Sequence, residues 1–312
     1  MSAVDASLSE QQTPEFRAGG TDLSERRRSG VSRAPLVDLT ASPDMVGIEW
    51  GADGAARIGA LTTVAEIANN ARVAHGYPGL AAAAGGLATP QIRHVATLGG
   101  NLAQRSRCWY FRNPHTACLK KGGPICPARD GNHLYGVAFD LCPCVAPHPS
   151  TLAAALMAYD AMITTSLRQH LTVTELLGDG TNGSADNSLK VGEIIRSIQL
   201  PSPVPGERAF YKRAISRTHA EWPLVEVVAR GVVSDENVTF VHIAVGGIAP
   251  VPLRLSAVES IVRGASATSD TIARAAEQSA IGAQPLPMTR YKLVLLKGLV
   301  EDVLGRLIAQ IS

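Results

Sequence analysis

The sequence predicts an α+β protein of two domains, and three observations support this. Residues 1–177 are rich in Gly and Ala, and their short apolar runs are separated by turns, which is typical of mixed α/β structure. Gly, Asn, Ser and Asp dominate residues 178–190, and this composition is typical of a linker. Strand-like runs and then a long helical pattern follow. We therefore predict a first domain at 1–177, a linker and connecting strand at 178–207, and a second domain at 208–312.

In the first domain, apolar runs predict strands at 37–39 and 57–60. Helices are expected at 63–70, where Thr62 and Thr63 supply the N-terminal cap, at 79–87 and at 152–161. The second domain has strand-like runs at 209–215, 224–234 and 238–246, separated by short turns as in an antiparallel meander. A long C-terminal helix follows, and its buried face is one of two neighbouring sets: Leu293, Leu296, Leu299, Val303 and Leu307, or Val294, Lys297, Val300, Leu304, Leu307 and Ile311.

Charge and hydropathy exclude several classes of protein. The 312 residues include 29 Lys and Arg against 27 Asp and Glu, a net charge of +2, which does not support a dedicated nucleic-acid or membrane-surface protein. No run approaches the roughly 20 apolar residues that span a bilayer. The polar N-terminus lacks the apolar core of a secretory signal, so we expect a cytoplasmic location.

The five cysteines lie within 37 residues, and their spacing is Cys-x9-Cys-x7-Cys-x15-Cys-x-Cys. An odd count in a reducing compartment argues against a disulfide framework and for a metal centre. Zinc sites usually use close Cys-x2-Cys pairs, which are absent, so structural zinc ranks second to an iron–sulfur cluster, but both stay open. Basic residues of the same segment are expected to offset the charge of a thiolate cluster: Arg105, Arg107, Arg112, Lys120, Lys121 and Arg129.

Two double-glycine turns stand about eighty residues apart, at 17–23 and 96–102. Glycine lets backbone amides approach a phosphate or diphosphate closely, in conformations that other residues avoid. Taken singly, each is better interpreted as a tight turn in a Gly-rich chain, and it is their occurrence together with the cysteine segment that favours a binding site.

The order of these motifs resembles the FAD-binding medium subunit of the molybdenum hydroxylases, the xanthine dehydrogenase and carbon monoxide dehydrogenase family. The resemblance rests on Ala-Gly-Gly-Thr-Asp-Leu at 18–23, Arg-Ile-Gly-Ala-Leu-Thr-Thr at 57–63 and Thr-Leu-Gly-Gly-Asn-Leu at 97–102. It continues in Tyr-Lys-Arg at 211–213 and Ala-Val-Gly-Gly-Ile-Ala-Pro at 244–250. It implies a two-lobed FAD-binding domain of the vanillyl-alcohol-oxidase type, followed by a C-terminal flavoprotein domain with a three-stranded antiparallel sheet and helices.

The resemblance also implies a set of site residues. The FAD diphosphate would lie against Glu15, Phe16, Arg17, Ala18, Gly19, Gly20, Thr21, Asp22 and Leu23, with Thr97, Gly99, Gly100 and Asn101 as the second wall. Thr151 would meet the flavin, Lys212 would approach it from the second domain, and Ile92 and Leu98 would pack nearby. Glu15 and Thr151 depart from the family's basic residue and aspartate, and both departures are expected to weaken FAD binding.

Two further departures lie near the N-terminus. The family begins with a strand and a helix, which residues 1–14 are too short and too polar to supply. Ser-Glu-Arg-Arg-Arg at 24–28 replaces a leucine-rich helix start, and we interpret it as a solvated surface or a partner contact.

Residues 104–149, the cysteine loop, replace a short connection in most of the family. They resemble the insertion that carries a [4Fe–4S] cluster in flavin subunits of the aldehyde oxidoreductase and 4-hydroxybenzoyl-CoA reductase types. By that resemblance the ligands are Cys108, Cys118, Cys126 and Cys144, with Cys142 spare.

The resemblance implies an electron-transfer subunit with FAD and [4Fe–4S], and with no residue that touches the organic substrate. Its partners would be a molybdenum-cofactor large subunit, a [2Fe–2S] small subunit and an external electron acceptor. Export together with a partner subunit stays open. Two alternatives stay open: an aromatic acyl-CoA reductase that runs electrons inward, and a structural subunit with zinc in the cysteine loop.

Overall fold

The computed structural model describes residues 13–218 and 220–309. Its strands are β1 (Glu15–Arg17), β2 (Leu36–Asp38), β3 (Ile48–Trp50), β4 (Ala56–Gly59), β5 (Met162–Thr165), β6 (Leu171–Thr172), β7 (Ile195–Leu200), β8 (Arg208–Ala214), β9 (Val225–Ser234), β10 (Asn237–Gly246) and β11 (Leu253–Arg254). Its α-helices are α1 (Leu23–Arg28), α2 (Val64–Asn69), α3 (Ala71–Gly76), α4 (Pro78–Gly86), α5 (Pro90–Arg93), α6 (Leu98–Leu102), α7 (Trp109–Arg112), α8 (Thr151–Ala158), α9 (Val173–Leu177), α10 (Ser256–Val262), α11 (Ser269–Glu277) and α12 (Tyr291–Ile308).

The first unit is built on an antiparallel sheet in the order β3-β4-β7-β5-β6. Ile198 of β7 lies opposite both Ile58 of β4 and Ile163 of β5, and all three side chains are fully buried. Helices α2, α4 and α8 contribute to the same core. The polar linker is thus followed by β7, a central strand of the first sheet. The buried side chains of β7 complete the core of the first unit.

The second unit is an antiparallel sheet in the order β11-β10-β9-β8. Helix α12 packs on one face of this sheet, and α4 and α8 of the first unit pack on the other. The sheet therefore lies between the C-terminal helix and the first unit. Because side chains alternate along β8, one set faces α4 and α8 of the first unit and the other set faces α12.

Most predicted elements of regular structure are confirmed within one or two residues. The cap predicted for α2 is a full capping box, in which Thr63 and Glu66 satisfy each other's backbone amides. The three-stranded sheet is wrong, because the two-residue strand β11, too short to give a pattern, pairs with β10. The buried face of α12 mixes both predicted sets: Leu296, Val300, Val303, Leu304 and Leu307 are buried, whereas Val294 is exposed.

Residues 1–12 and Ile311 lie outside the described residues, so most of the N-terminal departure and one position of the C-terminal pattern stay predictions. No helix among the described residues is long and apolar enough to cross a membrane.

Candidate cofactor-binding site

The first glycine turn follows β1 and leads directly into α1. Gly20 has a φ of +70°, a conformation that side chains other than glycine avoid. A Cβ atom at Gly19 would lie 1.8 Å from the carbonyl oxygen of Val95, just before the second glycine turn. The first turn therefore contacts the start of the second directly, at Gly19.

The second glycine turn opens α6. Thr97 caps this helix by accepting a hydrogen bond of 3.2 Å from the amide of Gly100. A Cβ atom at Gly99 would lie 2.8 Å from the Cβ of Ala60. Ser150, the cap of α8, donates a 2.7 Å hydrogen bond to Asn101, which joins this turn to α8.

A cavity of about 240 Å³, the glycine groove, runs between the turns. Most of the predicted contacts line it: Glu15, Phe16, Ala18, Gly19, Gly20, Thr21, Asp22, Leu23, Thr97, Gly99 and Gly100. Arg17 is not among its lining residues, because its guanidinium pairs with Asp38 of β2. Apolar Leu39, Met45 and Ile194 also line the groove.

A second cavity of about 160 Å³, the adjoining pocket, shares Thr21, Asp22, Gly100 and Gln104 with the groove. Predicted residues Asn101, Thr151 and Ile92 line it. Its far wall comes from the second unit and includes Arg213 and Trp222. The two cavities therefore adjoin at these shared residues, and together they extend from the first unit to the boundary with the second.

Lys212 is not brought to either cavity. It lies on the α12 face of β8, where its ammonium is 3.4 Å from the carboxylate of Asp302. Its neighbour Arg213 points the other way and lines the adjoining pocket. The strand pattern predicts that only one of these two residues can face the pocket, since adjacent residues of a strand face opposite sides of the sheet.

Asp22 is the centre of a charged cluster beside the groove. Its carboxylate accepts hydrogen bonds or ion pairs from Arg26 at 3.0 Å, Arg107 at 3.0 Å and Arg112 at 2.6 Å. Burial opposes its ionisation, but Arg107 and Arg112 hold the pKa of Asp22 below its usual value. Sequence reasoning missed Arg107 and Arg112 as partners, because they lie 85 and 90 residues further along the chain.

The solvated surface predicted for residues 24–28 is only partly right. Arg27 and Arg28 are exposed, but Arg26 is buried and pairs with Glu15 at 2.5 Å and with Asp22. Glu15 also accepts a hydrogen bond from Ser32. The carboxylate predicted to disfavour a phosphate is therefore compensated by a buried guanidinium within the same groove.

The cysteine loop brings Cys126 and Cys144 into contact. The interaction of the two thiols lowers the pKa of Cys126 to about 5, whereas the same interaction and burial raise the pKa of Cys144. Cys108 lies in electrostatic range of Cys118 and Cys126. Cys142 instead donates from its sulfur to the backbone carbonyl of Cys144, at 3.3 Å. Across residues 13–218 and 220–309, no three His, Cys, Asp or Glu side chains are arranged to hold one metal ion.

The basic residues of the loop are mostly engaged by carboxylates. Lys120 and Arg105 both pair with Asp186, and Arg129 pairs with Asp140. Of the six predicted cations, Lys120 and Arg129 have an electrostatic effect on the thiols. The expectation that the whole basic run offsets the charge of a thiolate cluster stays a prediction.

The loop is anchored on the second unit. The amides of Ala138 and Phe139 donate to the carbonyl of Ile248, and that of His148 donates to Ala249. The buried amine of Lys292 at the start of α12 donates to Gly247 at 2.7 Å and to Tyr135 of the loop at 3.3 Å. A cavity of about 310 Å³ between loop and second unit meets the adjoining pocket at Arg107, Pro149 and Trp222.

Comparison with known proteins gives the class. The family described as the FAD binding domain in molybdopterin dehydrogenase matches residues 2–203, and the carbon monoxide dehydrogenase flavoprotein C-terminal domain matches 209–307. The chain is therefore the flavin-binding component of an oxidoreductase. It belongs to the FAD-binding subunits of the molybdopterin dehydrogenases.

Relatives and solved structures agree with this family. The FAD-binding subunit PaoB of the Escherichia coli K12 aldehyde oxidoreductase is 31% identical over 98% of this chain and 96% of its own. The xanthine dehydrogenase FAD-binding subunit of Escherichia coli O157:H7 is 23% identical over 97% and 91%. Carbon monoxide dehydrogenase from Hydrogenophaga pseudoflava, at 20% identity, superposes with a TM-score of 0.74 over 98% of this chain and 92% of its own. That structure supports the mixed α/β fold.

Proposed function

We propose that this chain is the electron-transfer subunit of a heteromeric molybdenum-dependent hydroxylase of the aldehyde oxidoreductase and xanthine dehydrogenase type. Its partners would be a molybdenum-cofactor subunit, which receives the organic substrate, and a [2Fe–2S] subunit, which carries electrons. FAD in this chain would pass their electrons, two at a time, to an external acceptor. The named relatives are subunits of an aldehyde oxidoreductase and a xanthine dehydrogenase, which supports this assignment.

The observation that carries the proposal is the pair of adjoining cavities, the glycine groove and the adjoining pocket, which share four lining residues. At Gly19 and Gly99 neighbouring protein atoms leave no room for a side chain, so both turns lie close against the rest of the first unit beside the groove. Backbone amides of such glycine turns can approach a diphosphate closely. The apolar lining at Leu39 and Met45 suits an adenine ring, and the pocket bounded by Thr151 and Arg213 suits the flavin ring. The protein's own residues thus bind and orient the cofactor.

We also propose Cys108, Cys118, Cys126 and Cys144 as ligands of a [4Fe–4S] cluster, which would extend the electron path. The chemistry of the donors supports this set. Four thiols are needed at four separate iron atoms, and Cys126 and Cys144 are in contact while Cys108 is near Cys118 and Cys126. Cys142 is held by a backbone carbonyl and stays the spare thiol.

The proposal is tested on the chain purified anaerobically with its partner subunits. We expect flavin absorbance that bleaches on reduction and an EPR signal of a reduced iron–sulfur cluster assigned to this chain. Absence of both would contradict an electron-transfer role. Metal analysis that finds zinc without iron would contradict the [4Fe–4S] proposal. FAD binding would then be tested by the flavin absorbance alone.

A further inference from the structure

A carboxyl group lies buried directly behind the adjoining pocket. Glu226 stands on β9, and its side chain points away from α12, toward the first unit. The residue is 1% exposed. Its oxygen Oε2 accepts a 2.9 Å hydrogen bond from the hydroxyl of Tyr211 on β8.

Thr151 connects this carboxyl group to the pocket. It is the first residue of α8, it is 3% exposed, and it lines the adjoining pocket. Its hydroxyl lies close enough to Glu226 and to Tyr211 to lower the pKa of both groups. The carboxyl group is thus one hydroxyl away from the space in which the flavin ring would lie.

The groups that face Glu226 can be named element by element. Strand β8 contributes Tyr211 and Arg213, helix α8 contributes Thr151, and β10 contributes Gly246, which carries no charge. Burial raises the pKa of Glu226 to about 7, although the two hydrogen bonds and Arg213 work in the opposite direction. Both protonation states are therefore accessible near neutral pH.

We propose that Glu226 is the proton-holding group of the flavin pocket and that it takes up one proton from solvent when FAD bound before Thr151 is reduced. This inference rests on the proposed function. Two electrons from the oxidised substrate and one proton convert bound FAD to its reduced anion. The new negative charge then favours protonation of the Glu226 carboxylate, so a second proton enters and one O–H bond forms on the carboxyl group. Reoxidation by the acceptor reverses both steps.

The role of Glu226 is that of a positioning residue, because it acts through Thr151.

The test is the midpoint potential of FAD in the FAD-loaded complex. It is measured from about pH 5.5 to about pH 8.5, a range that extends to both sides of the raised pKa of Glu226. Each proton taken up in a two-electron couple moves the potential by about 30 mV per pH unit. We expect the slope of the unmodified chain to rise from about 30 to about 60 mV per pH unit above about pH 7. In Glu226→Gln the slope stays near about 30 mV per pH unit throughout.

Two further variants make the test specific. Glu221→Gln removes a carboxylate that also lines the pocket but pairs with Arg217, and the doubling of the slope should persist. Tyr211→Phe removes a hydrogen bond that favours the ionised Glu226, so the break in the slope should move to higher pH. If Glu226→Gln does not fold, Tyr211→Phe alone tests the role of Glu226.

Equal slopes in the unmodified chain and in Glu226→Gln, or an unmoved break in Tyr211→Phe, would overturn the inference. A chain that binds no FAD at all would instead contradict the proposed function, so the two failures are distinguishable.

Discussion

At Gly19 there is no room for a side chain, and this gives the first prediction at the scale of single residues. Because a Cβ would lie 1.8 Å from the Val95 oxygen, Gly19→Ala must push the two glycine turns apart. We expect loss of at least nine-tenths of the bound FAD and a loss of stability of about 2 kcal/mol. The FAD released on unfolding, per chain, measures the first effect.

Gly298→Ala is the matched control. Gly298 is exposed on α12, and its added Cβ would meet nothing within 4 Å. Alanine is the better helix former, so this variant should keep its FAD and gain about 0.8 kcal/mol of stability. Full FAD content in Gly19→Ala would show that the turns do not form the binding site.

Glu226 gives a second prediction at this scale, for the flavin-free chain. Its pKa is raised to about 7 in the folded state, so the folded chain holds a proton that the unfolded chain has already released. Stability from this group is therefore complete below about pH 4.5 and falls as pH rises to about 7, by about 3 kcal/mol in total.

Urea unfolding of the unmodified chain and Glu226→Gln at several pH values measures this difference. The difference in free energy of unfolding should change by about 3 kcal/mol across that range, to the disadvantage of the unmodified chain at higher pH. A constant difference would mean that Glu226 has an ordinary pKa.

At the scale of elements, the alternation of β8 separates two adjacent basic residues. Arg213 faces the adjoining pocket, and Lys212 faces α12 and Asp302. We expect Arg213→Ala to weaken FAD binding about tenfold, the loss of one charged hydrogen-bonding group, and Lys212→Ala to change it less than about twofold. Fluorescence titration with FAD measures both, and the reverse order would place the cofactor on the other face of the strand.

The cysteine loop yields a prediction about iron content. Cys144→Ser should lose the cluster, because the Cys144 thiol contacts that of Cys126, whereas Cys142→Ser should keep it. Iron and sulfide per chain are measured after anaerobic purification. Full iron in Cys144→Ser with loss in Cys142→Ser would exchange the roles of the two residues.

What the sequence could predict at this scale depends on distance along the chain. Local patterns sufficed for the capping box of Thr63 and for the strands β8, β9 and β10. The placement of β7 between β4 and β5, and the contact of Thr151 with Glu226, depend on residues far apart in sequence. Such contacts leave no periodic pattern, so Arg213 and Glu226 were not predicted. The domain boundaries and the ligand set stay predictions.

At the scale of the whole molecule, the packing of the units defines the site. The second sheet lies between α12 and the helices α4 and α8, so the adjoining pocket forms where the units meet. The cysteine loop is hydrogen-bonded to the second unit at Ile248 and Ala249. These contacts fix the positions of the groove, the pocket and the cysteines relative to one another, as the proposed transfer of electrons between centres requires.

The most direct test of the diphosphate site compares FAD with riboflavin, which has the same ring but no diphosphate or adenine. In fluorescence titrations of the full chain, we expect one FAD per chain and binding of riboflavin at least about a hundredfold weaker, since the groove's contacts are lost. Equal affinity for the two compounds would contradict the assignment of the paired glycine turns to the diphosphate.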